Sequence, residues 1–214
     1  VPGDSVWHFA YDRHRTEGGQ GVLEWKGAYG KDFEGGFEIR MDDAGDAEFR
    51  YEFSYKGPEM WVREIGLEFE LPLGFDKLNW DRHAEYSFYP EGHIGRPVGE
   101  AVAHPAVAQT IPAGDRPYGL DDHPLGSNDF RSAKRNIYLA ELTNKKAQGI
   151  EVVSDGTQSV RATLGTHEIQ LKVLDYYGGM SWTYHTGYHY GPGRLVKTGE
   201  VLKGTVRLRF LIGK

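Results

Sequence analysis

The sequence predicts an all-β fold of two stacked, mainly antiparallel sheets, and three features predict it. Apolar residues recur at every second position in segment after segment, which is the period of a half-buried strand. Twenty-nine glycines and ten prolines among 214 residues supply turns for many short strands. No window keeps apolar residues at helical spacing for more than two turns. Ser132 to Leu142 comes nearest, and its Asn-Ile-Tyr-Leu core fits a strand equally well.

The elements follow in order. Val6 to Tyr11 alternates Trp7, Phe9 and Tyr11 on one face and opens the fold, and Gly18-Gly19 then breaks the chain. Gly21 to Trp25 and Gly35 to Met41 read as strands about a glycine-rich turn. Ala47 to Tyr55 alternates Phe49, Tyr51, Phe53 and Tyr55, and Trp61 to Leu71 continues the meander with Ile65, Leu67, Phe69 and Leu71 on its inner face. Leu73-Gly74-Phe75-Asp76 turns the chain, and Leu78 and Trp80 resume the alternation. Gly99 to Asp122 is a proline-rich connection. Arg135 to Leu142, Gly149 to Ser154, Ser159 to Leu164, Glu168 to Leu174 and Leu202 to Ile212 supply the second set of strands. The core is expected to include Phe49, Phe53, Ile65, Leu67, Phe69, Leu71 and Val173. With no repeat and no linker, residues 1–214 read as one β-sandwich domain.

Composition excludes several classes. A formal charge of -6 and a pI near 5.9, with Lys and Arg scattered, exclude a phosphate-binding stripe, so no nucleic-acid partner is expected. No apolar run approaches the ~20 residues that span a membrane and no signal peptide is evident, so no membrane partner is expected. Val1 reads as the start of an excised module or of a mature chain. Zero cysteines exclude disulfides and thiolate metal sites and leave the compartment open, with a secreted or periplasmic setting preferred.

Aromatic residues make up 13% of the chain, and two clusters hold many of them. Between Leu174 and Gly193 lie Tyr177, Trp182, Tyr184, His185, Tyr188, His189 and Tyr190, among glycines that make the segment a loop or a loosely paired hairpin. A pyranose offers C–H bonds on one face and hydroxyls at its edge. A flat ring beneath it, with Asp, Asn, Arg or His at the rim, therefore binds sugar. The same rings could instead close one end of the sandwich, and Trp182 is the first candidate for sugar contact. The second cluster runs from Trp80 through Asp81, Arg82, His83, Tyr86, Phe88, Tyr89 and His93 to Arg96. There Trp80 reads as core, and Arg96 either pairs with a buried carboxylate or contacts ligand. Asn128, Asp129 and Arg131 form a third polar group, suited to sugar hydroxyls or to loop backbone. His185-x-x-x-His189 has the spacing of some zinc pairs, and Asp121-Asp122-His123 could hold calcium. A glycine-rich β segment does not bring the two imidazoles together as a helix would, and the acidic run has no EF-hand spacing, so no metal and no cofactor is expected.

Glu64 to Gly99 presents a strand ending in Leu-Pro, a Gly-Phe-Asp turn, a Leu-x-Trp step and then aromatic residues before Gly95-Arg96. It is followed by Asn128-Asp129-Phe130-Arg131-Ser132-Ala133-Lys134 and by Gly149 to Gly156. In that order these segments resemble the C-terminal small-chain domain of family 2 glycoside hydrolases, the β-galactosidase group, over roughly residues 20 to 214. The resemblance implies a β-supersandwich related in fold to galactose mutarotase, without the paired catalytic carboxylates of the parent enzymes. It implies a non-catalytic, carbohydrate-binding accessory module whose partners are a polysaccharide or oligosaccharide and the catalytic domain of a parent glycoside hydrolase. A purely structural accessory domain is the alternative. A mutarotase-like sugar epimerase, with His as acid and Glu as base, stands third, because its motif does not match residue by residue.

Overall fold

The computed structural model describes residues 6–89, 95–103, 128–178, 180–183, 187–190 and 193–213, with backbone alone at 128, 180–183 and 187–190. Its strands are β1 (Trp7–Glu17), β2 (Gln20–Tyr29), β3 (Phe33–Met41), β4 (Asp46–Tyr55), β5 (Met60–Val62), β6 (Glu64–Pro72), β7 (Lys77–Arg82), β8 (Val98–Val102), β9 (Ile137–Thr143), β10 (Gln148–Val153), β11 (Ser159–Leu164), β12 (Glu168–Tyr177), β13 (Met180–Thr183), β14 (Gly187–Tyr190), β15 (Arg194–Val196) and β16 (Val201–Ile212). One helical turn, α1 (Asn128–Arg131), is the only helix among the described residues. No described helix is long and apolar enough to cross a membrane. The protein is all-β, with antiparallel sheets, as its alternation predicts. It divides into two compact units: Val1–Gly66 with Asp175–Leu208, and Leu67–Leu174 with Arg209–Lys214.

In the first unit β1, β2, β3 and β4 form an antiparallel meander, and β16 follows β4 in the sheet. Gly18 and Gly19, at φ +60° and +82°, make the two-residue turn between β1 and β2, a geometry that L side chains resist. The register pairs Trp25 with Phe37 and Phe37 with Tyr51, and it pairs Tyr29 with Phe33 and Phe33 with Tyr55. Odd-numbered positions of β2, β3 and β4 therefore share one face, which is aromatic. Trp7 packs there 5.0 Å from Tyr29 and 5.6 Å from Phe37, and Phe37 lies 5.1 Å from Phe53. Gly27 makes the room, since a Cβ there would stand 2.6 Å from the Trp7 ring.

The even-numbered face is a lattice of charge. Glu38 on β3 meets Arg40 at 2.8 Å, Arg15 at 3.3 Å and Arg50 at 3.5 Å, and Arg207 on β16 reaches Glu48 at 3.2 Å. The hydrogen bond from Arg40 holds the Glu38 carboxyl below its ordinary range. Glu24 stands directly opposite Glu38, and Arg15 on β1 reaches both carboxylates, at 3.7 Å and 3.3 Å, which offsets that repulsion.

One strand departs from expectation. Trp7, Phe9 and Tyr11 do not share a face, because the β1 register shifts between Phe9 and Tyr11: Phe9 stands opposite Gly27, and Tyr11 stands opposite Lys26. The extra residue of a bulge reverses the alternation beyond it. Phe9 and Tyr11 are about half exposed, at 57% and 51%.

In the second unit the strands run β10, β9, β7, β8 in one sheet and β11, β12, β6 in another. Cross-strand rows Ala101–Leu78–Leu142–Ile150 and Gly99–Trp80–Ala140–Val152 put one buried face on the first sheet. Val160 opposite Val173 and Ala162 opposite Leu171 do the same for the second. Of the expected core, Phe53, Leu71 and Val173 are buried. Phe49, Ile65, Leu67 and Phe69 alternate as foreseen and are half-buried. The stretch from Ser132 to Leu142 resolves into the strand β9, preceded by α1, whose Phe130 is fully buried.

Leu142 is fully buried at the centre of its row, whereas Val98 on β8 is largely exposed. Urea unfolding of Leu142→Ala should show a loss of about 3 kcal/mol, and Val98→Ala a loss under about 0.5 kcal/mol. Equal losses would mean that the buried row does not carry the stability of this unit.

Candidate functional site

The aromatic segment after Leu174 is a ribbon. β13 and β14 pair antiparallel, with Met180 opposite Tyr190, Ser181 opposite His189, Trp182 opposite Tyr188 and Thr183 opposite Gly187. The expected loop or loose hairpin is thus a regular hairpin that sets Trp182 and Tyr188 at one register position. Tyr184 and His185 lie outside the described residues.

Within the first unit, the backbones on either side of the ribbon meet in a narrow neck at Gly178 and Gly193. The Gly178 amide donates to the Arg63 carbonyl at 2.7 Å, just beyond the short β5–β15 ladder. A Cβ on Gly178 would lie 3.2 Å from the Gly193 Cα, and one on Gly193 would lie 2.3 Å from the Val62 carbonyl oxygen. Gly193 also has φ +81°, so glycine is required there twice over. Beneath the neck, Val196, Tyr55 and Leu202 form a buried cluster against which Phe33, Met60, Val62 and Ile65 pack.

Polar groups gather at the root. Tyr51 on β4 donates its hydroxyl to Asp175 Oδ2 at 2.7 Å. Burial, and then the bond to Asp175, raise the Tyr51 phenol above its ordinary value, with Arg194 pulling the other way, so Tyr51 stays a donor. Arg194, directly after Gly193, pairs with Glu200, whose other oxygen accepts the Lys197 amide at 3.0 Å. Gly204 on β16 admits the Tyr51–Asp175 pair, since a Cβ there would fall 1.9 Å from Asp175 Oδ2. Sequence reasoning missed Asp175, Arg194, Glu200 and Gly204 and placed Tyr51 only as a strand residue. Their partners lie far off in the chain, and only the Asp and Arg flanking the aromatic run hinted at a role.

Asn128, Asp129 and Arg131 belong to a different construction, in the second unit. Trp80 is buried there, its indole lying against Gly99, where a Cβ would come within 2.4 Å of the ring. The Trp80 indole N–H and the Arg82 Nε–H both donate to the Arg96 carbonyl at 3.2 Å. The Arg96 guanidinium stacks 5.0 Å from the Trp80 ring and meets Asp129 Oδ2 at 2.9 Å. On the same indole, Lys134 Nζ sits 4.4 Å from the ring centroid and donates to the Asp129 and Ser132 carbonyls and to Ser132 Oγ. The Arg131 carbonyl accepts the Arg161 Nε–H at 3.2 Å. Arg96, Lys134 and Arg161 thus grip α1 through the Asp129 carboxylate and the carbonyls of Asp129 and Arg131, a structural clamp in which Asp129 Oδ1 is buried without a hydrogen bond. Arg96 pairs with a carboxylate, one of its two expected roles, and Trp80 is core.

No group of three His, Asp or Glu suited to a metal ion occurs among the described residues. Asp121, Asp122, His123 and His185 lie outside them, and His189 is described by backbone only.

No protein-family model and no curated protein sequence matches the chain. Among solved structures it is similar to a chain from Escherichia coli K12 provisionally named an aldose 1-epimerase, at 11% identity and a TM-score of 0.47, over 95% of this chain and 68% of that one. It is also similar to a galactose mutarotase related enzyme from Lactobacillus acidophilus, at 11% identity and a TM-score of 0.36, over 97% of this chain and 72% of that one. Neither is a glycoside hydrolase, and this overturns the resemblance to the small-chain domain of family 2. Motif order misled there because strand ends, Gly-Phe-Asp turns and Trp-centred clamps are demands of packing that unrelated β-sandwiches share. The expectation of a non-catalytic module is overturned with it, since both neighbours are named as enzymes, and a parent catalytic domain as partner loses its basis.

Lys134 gives this site a signature in pH. Its side chain is 1% exposed, and burial, opposed by Asp129 and reinforced by Arg82 and Arg96, lowers its pKa to about 7. The native state therefore binds fewer protons than the unfolded chain between pH 7 and the ordinary lysine value. Stability gained above that value is lost as pH falls towards 7, at up to ~1.4 kcal/mol per pH unit. Urea unfolding of the wild type from pH 7 to 9.5, compared with Lys134→Met, should show this slope in the wild type alone. Parallel curves would refute the assignment.

Proposed function

We propose that this chain recognises sugars and acts on them as an aldose epimerase does, with the β13–β14 ribbon as the platform for the ring. The observation that carries the reading is the register of Trp182 opposite Tyr188. A ribbon with paired aromatic residues suits the C–H face of a pyranose, and polar groups at its root suit the hydroxyl edge. Binding residues under this reading are Trp182, Tyr184, His185, Tyr188, His189, Tyr190 and Tyr177, and the clamp around Asp129 holds structure.

Ring opening of an aldose needs one group to take the anomeric O1 proton while another protonates the ring oxygen. The C1–O5 bond then breaks, the aldehyde rotates and the ring recloses from its other face. An imidazole titrates near neutral pH and can serve either step, so His185 and His189 are the acid–base candidates.

The test combines polarimetry of freshly dissolved α-D-glucose and α-D-galactose with NMR titration of the same sugars and of a panel of oligosaccharides. Wild-type protein should accelerate mutarotation and bind at least one sugar. Trp182→Ala should weaken binding about 5- to 30-fold, the worth of a stacked ring at roughly 1 to 2 kcal/mol, with little change in melting temperature. Absence of both binding and acceleration in the wild type refutes the proposal.

A further inference from the structure

We infer that the charged face of the first unit carries a binding groove for a zwitterion of the amino-acid type, in which Glu52 takes the ligand's ammonium group and Lys203 its carboxylate. The inference stands apart from the sugar reading of the ribbon.

A cavity of about 530 Å³ opens on that face, and Lys26 of β2, Gly36 of β3, Glu52 of β4 and Lys203 of β16 all line it. Volumes of this order hold small organic ligands. Register explains the hollow. Lys26, Gly36 and Glu52 stand side by side in one cross-strand row, so the centre of the row lacks a side chain. Glycine is required there: a Cβ would lie 2.0 Å from the Trp25 carbonyl oxygen and 2.7 Å from Lys26 Cδ.

Most charges around the groove are already engaged. Glu24 and Glu38, also in the lining, both meet Arg15, and Glu38 holds Arg40 at 2.8 Å and Arg50 at 3.5 Å besides. Arg50, a further lining residue, pairs with Glu48 as well, and Arg207 reaches that carboxylate at 3.2 Å. Lys26 lies 3.7 Å from Glu24. Behind Gly204 the Asp175 carboxylate accepts the Tyr51 hydroxyl. Glu52 and Lys203 are the exceptions. Both are exposed, both line the cavity, and among the described residues neither forms an ion pair.

That pattern sets the ligand's chemistry. Glu24, Glu38 and Glu52 balance Lys26, Arg50 and Lys203 in the lining, so a ligand of one sign meets repulsion as well as attraction. A zwitterion supplies an ammonium for Glu52 and a carboxylate for Lys203, and both bonds are charge-assisted. Free amino acids and short peptides share this chemistry, and length tells them apart.

The experiment titrates glycine and triglycine, each with its N-acetyl and amide forms, into wild-type protein, Glu52→Gln and Lys203→Met, following backbone amides by NMR at low salt. At least one free form should shift the amides of Gly36, Glu52 and Lys203, and the tighter of the two gives the ligand's length. Each blocked form lacks one charge-assisted bond and should bind about 10-fold more weakly. Lys203→Met should bring the free form down to the affinity of its amide and leave the amide's binding unchanged. Glu52→Gln should do the same towards the N-acetyl form. Both side chains are exposed, so melting temperature should hold. If either variant unfolds, the order of free and blocked forms on the wild type decides alone. Free and blocked forms binding alike, shifts confined to the β13–β14 ribbon, or no shift with either free form would overturn the inference. So would D-galactose displacing the free form from these amides, which would make the groove a sugar surface.

Discussion

The cross-strand register of β2, β3 and β4 is the constraint from which the rest of the first unit follows. Because odd positions pair with odd positions through both ladders, one face collects Trp25, Tyr29, Phe33, Phe37, Tyr51, Phe53 and Tyr55, and the other collects Glu24, Lys26, Glu38, Arg50 and Glu52. A slip of one residue in either ladder would drive charges into the aromatic layer and rings into water. Neither face tolerates that: a buried unpaired charge costs several kcal/mol, while the rings would forfeit their apolar burial. Register is therefore fixed twice, by attraction on one face and by ion pairing on the other. The position of Tyr51, and through it Asp175, inherits that precision.

The second unit solves a different problem, the anchoring of a short helical turn that cannot hold itself. Four residues form too few internal hydrogen bonds to repay helix nucleation. α1 is held from outside by the buried Phe130 and by Lys134, which reaches back to the carbonyls at the end of the turn. Two cations against one indole look costly, yet each has its own oxygens: Arg96 has Asp129 and the Glu100 carbonyl, and Lys134 has three acceptors within α1 and its exit. Satisfied donors make the desolvation bearable, and the indole face adds a modest attraction. Loss of the Lys134 proton need leave no acceptor stranded, since Ser132 Oγ can turn from acceptor to donor.

Alternation made most of the fold legible in the sequence. Ser159–Leu164 coincides with its strand and most other strands lie within a few residues of their expected bounds, because apolar period two and glycine turns are local properties, whereas β8 falls where a connection was expected, β15 was not foreseen, and Trp61–Leu71 splits into β5 and β6. The β1 bulge was not legible, since nothing in Phe9-Ala10-Tyr11 marks which residue will be unpaired. Nor were the polar pairs. Tyr51 and Asp175 stand 124 positions apart, and Arg96 and Asp129 stand 33 apart, so no spacing rule links them. Composition alone located the aromatic ribbon correctly in the chain. Its register, and the glycine neck at 178 and 193, needed the backbone. Of the proline-rich connection expected over Gly99 to Asp122, residues 104–122 lie outside the described residues.

Under the proposed sugar reading, the ribbon and its root face different physical demands. On that reading, contact between a ring and the apolar face of a sugar is nondirectional and survives small shifts. Hydroxyl recognition is directional, and hydrogen bonds weaken steeply with angle, so it belongs on the rigid part of the fold. Asp175 lies at the end of a ten-residue strand, bound to a tyrosine of the central meander, and Arg194 lies in the ladder with β5. The neck between them is the point where two backbones pass close enough that only glycine fits. The Gly178 amide is bonded to the Arg63 carbonyl, and Val196 in the adjoining ladder is fully buried, so the backbone here is held from two sides. Under the sugar reading, directional contacts belong there, where the scaffold supplies precision.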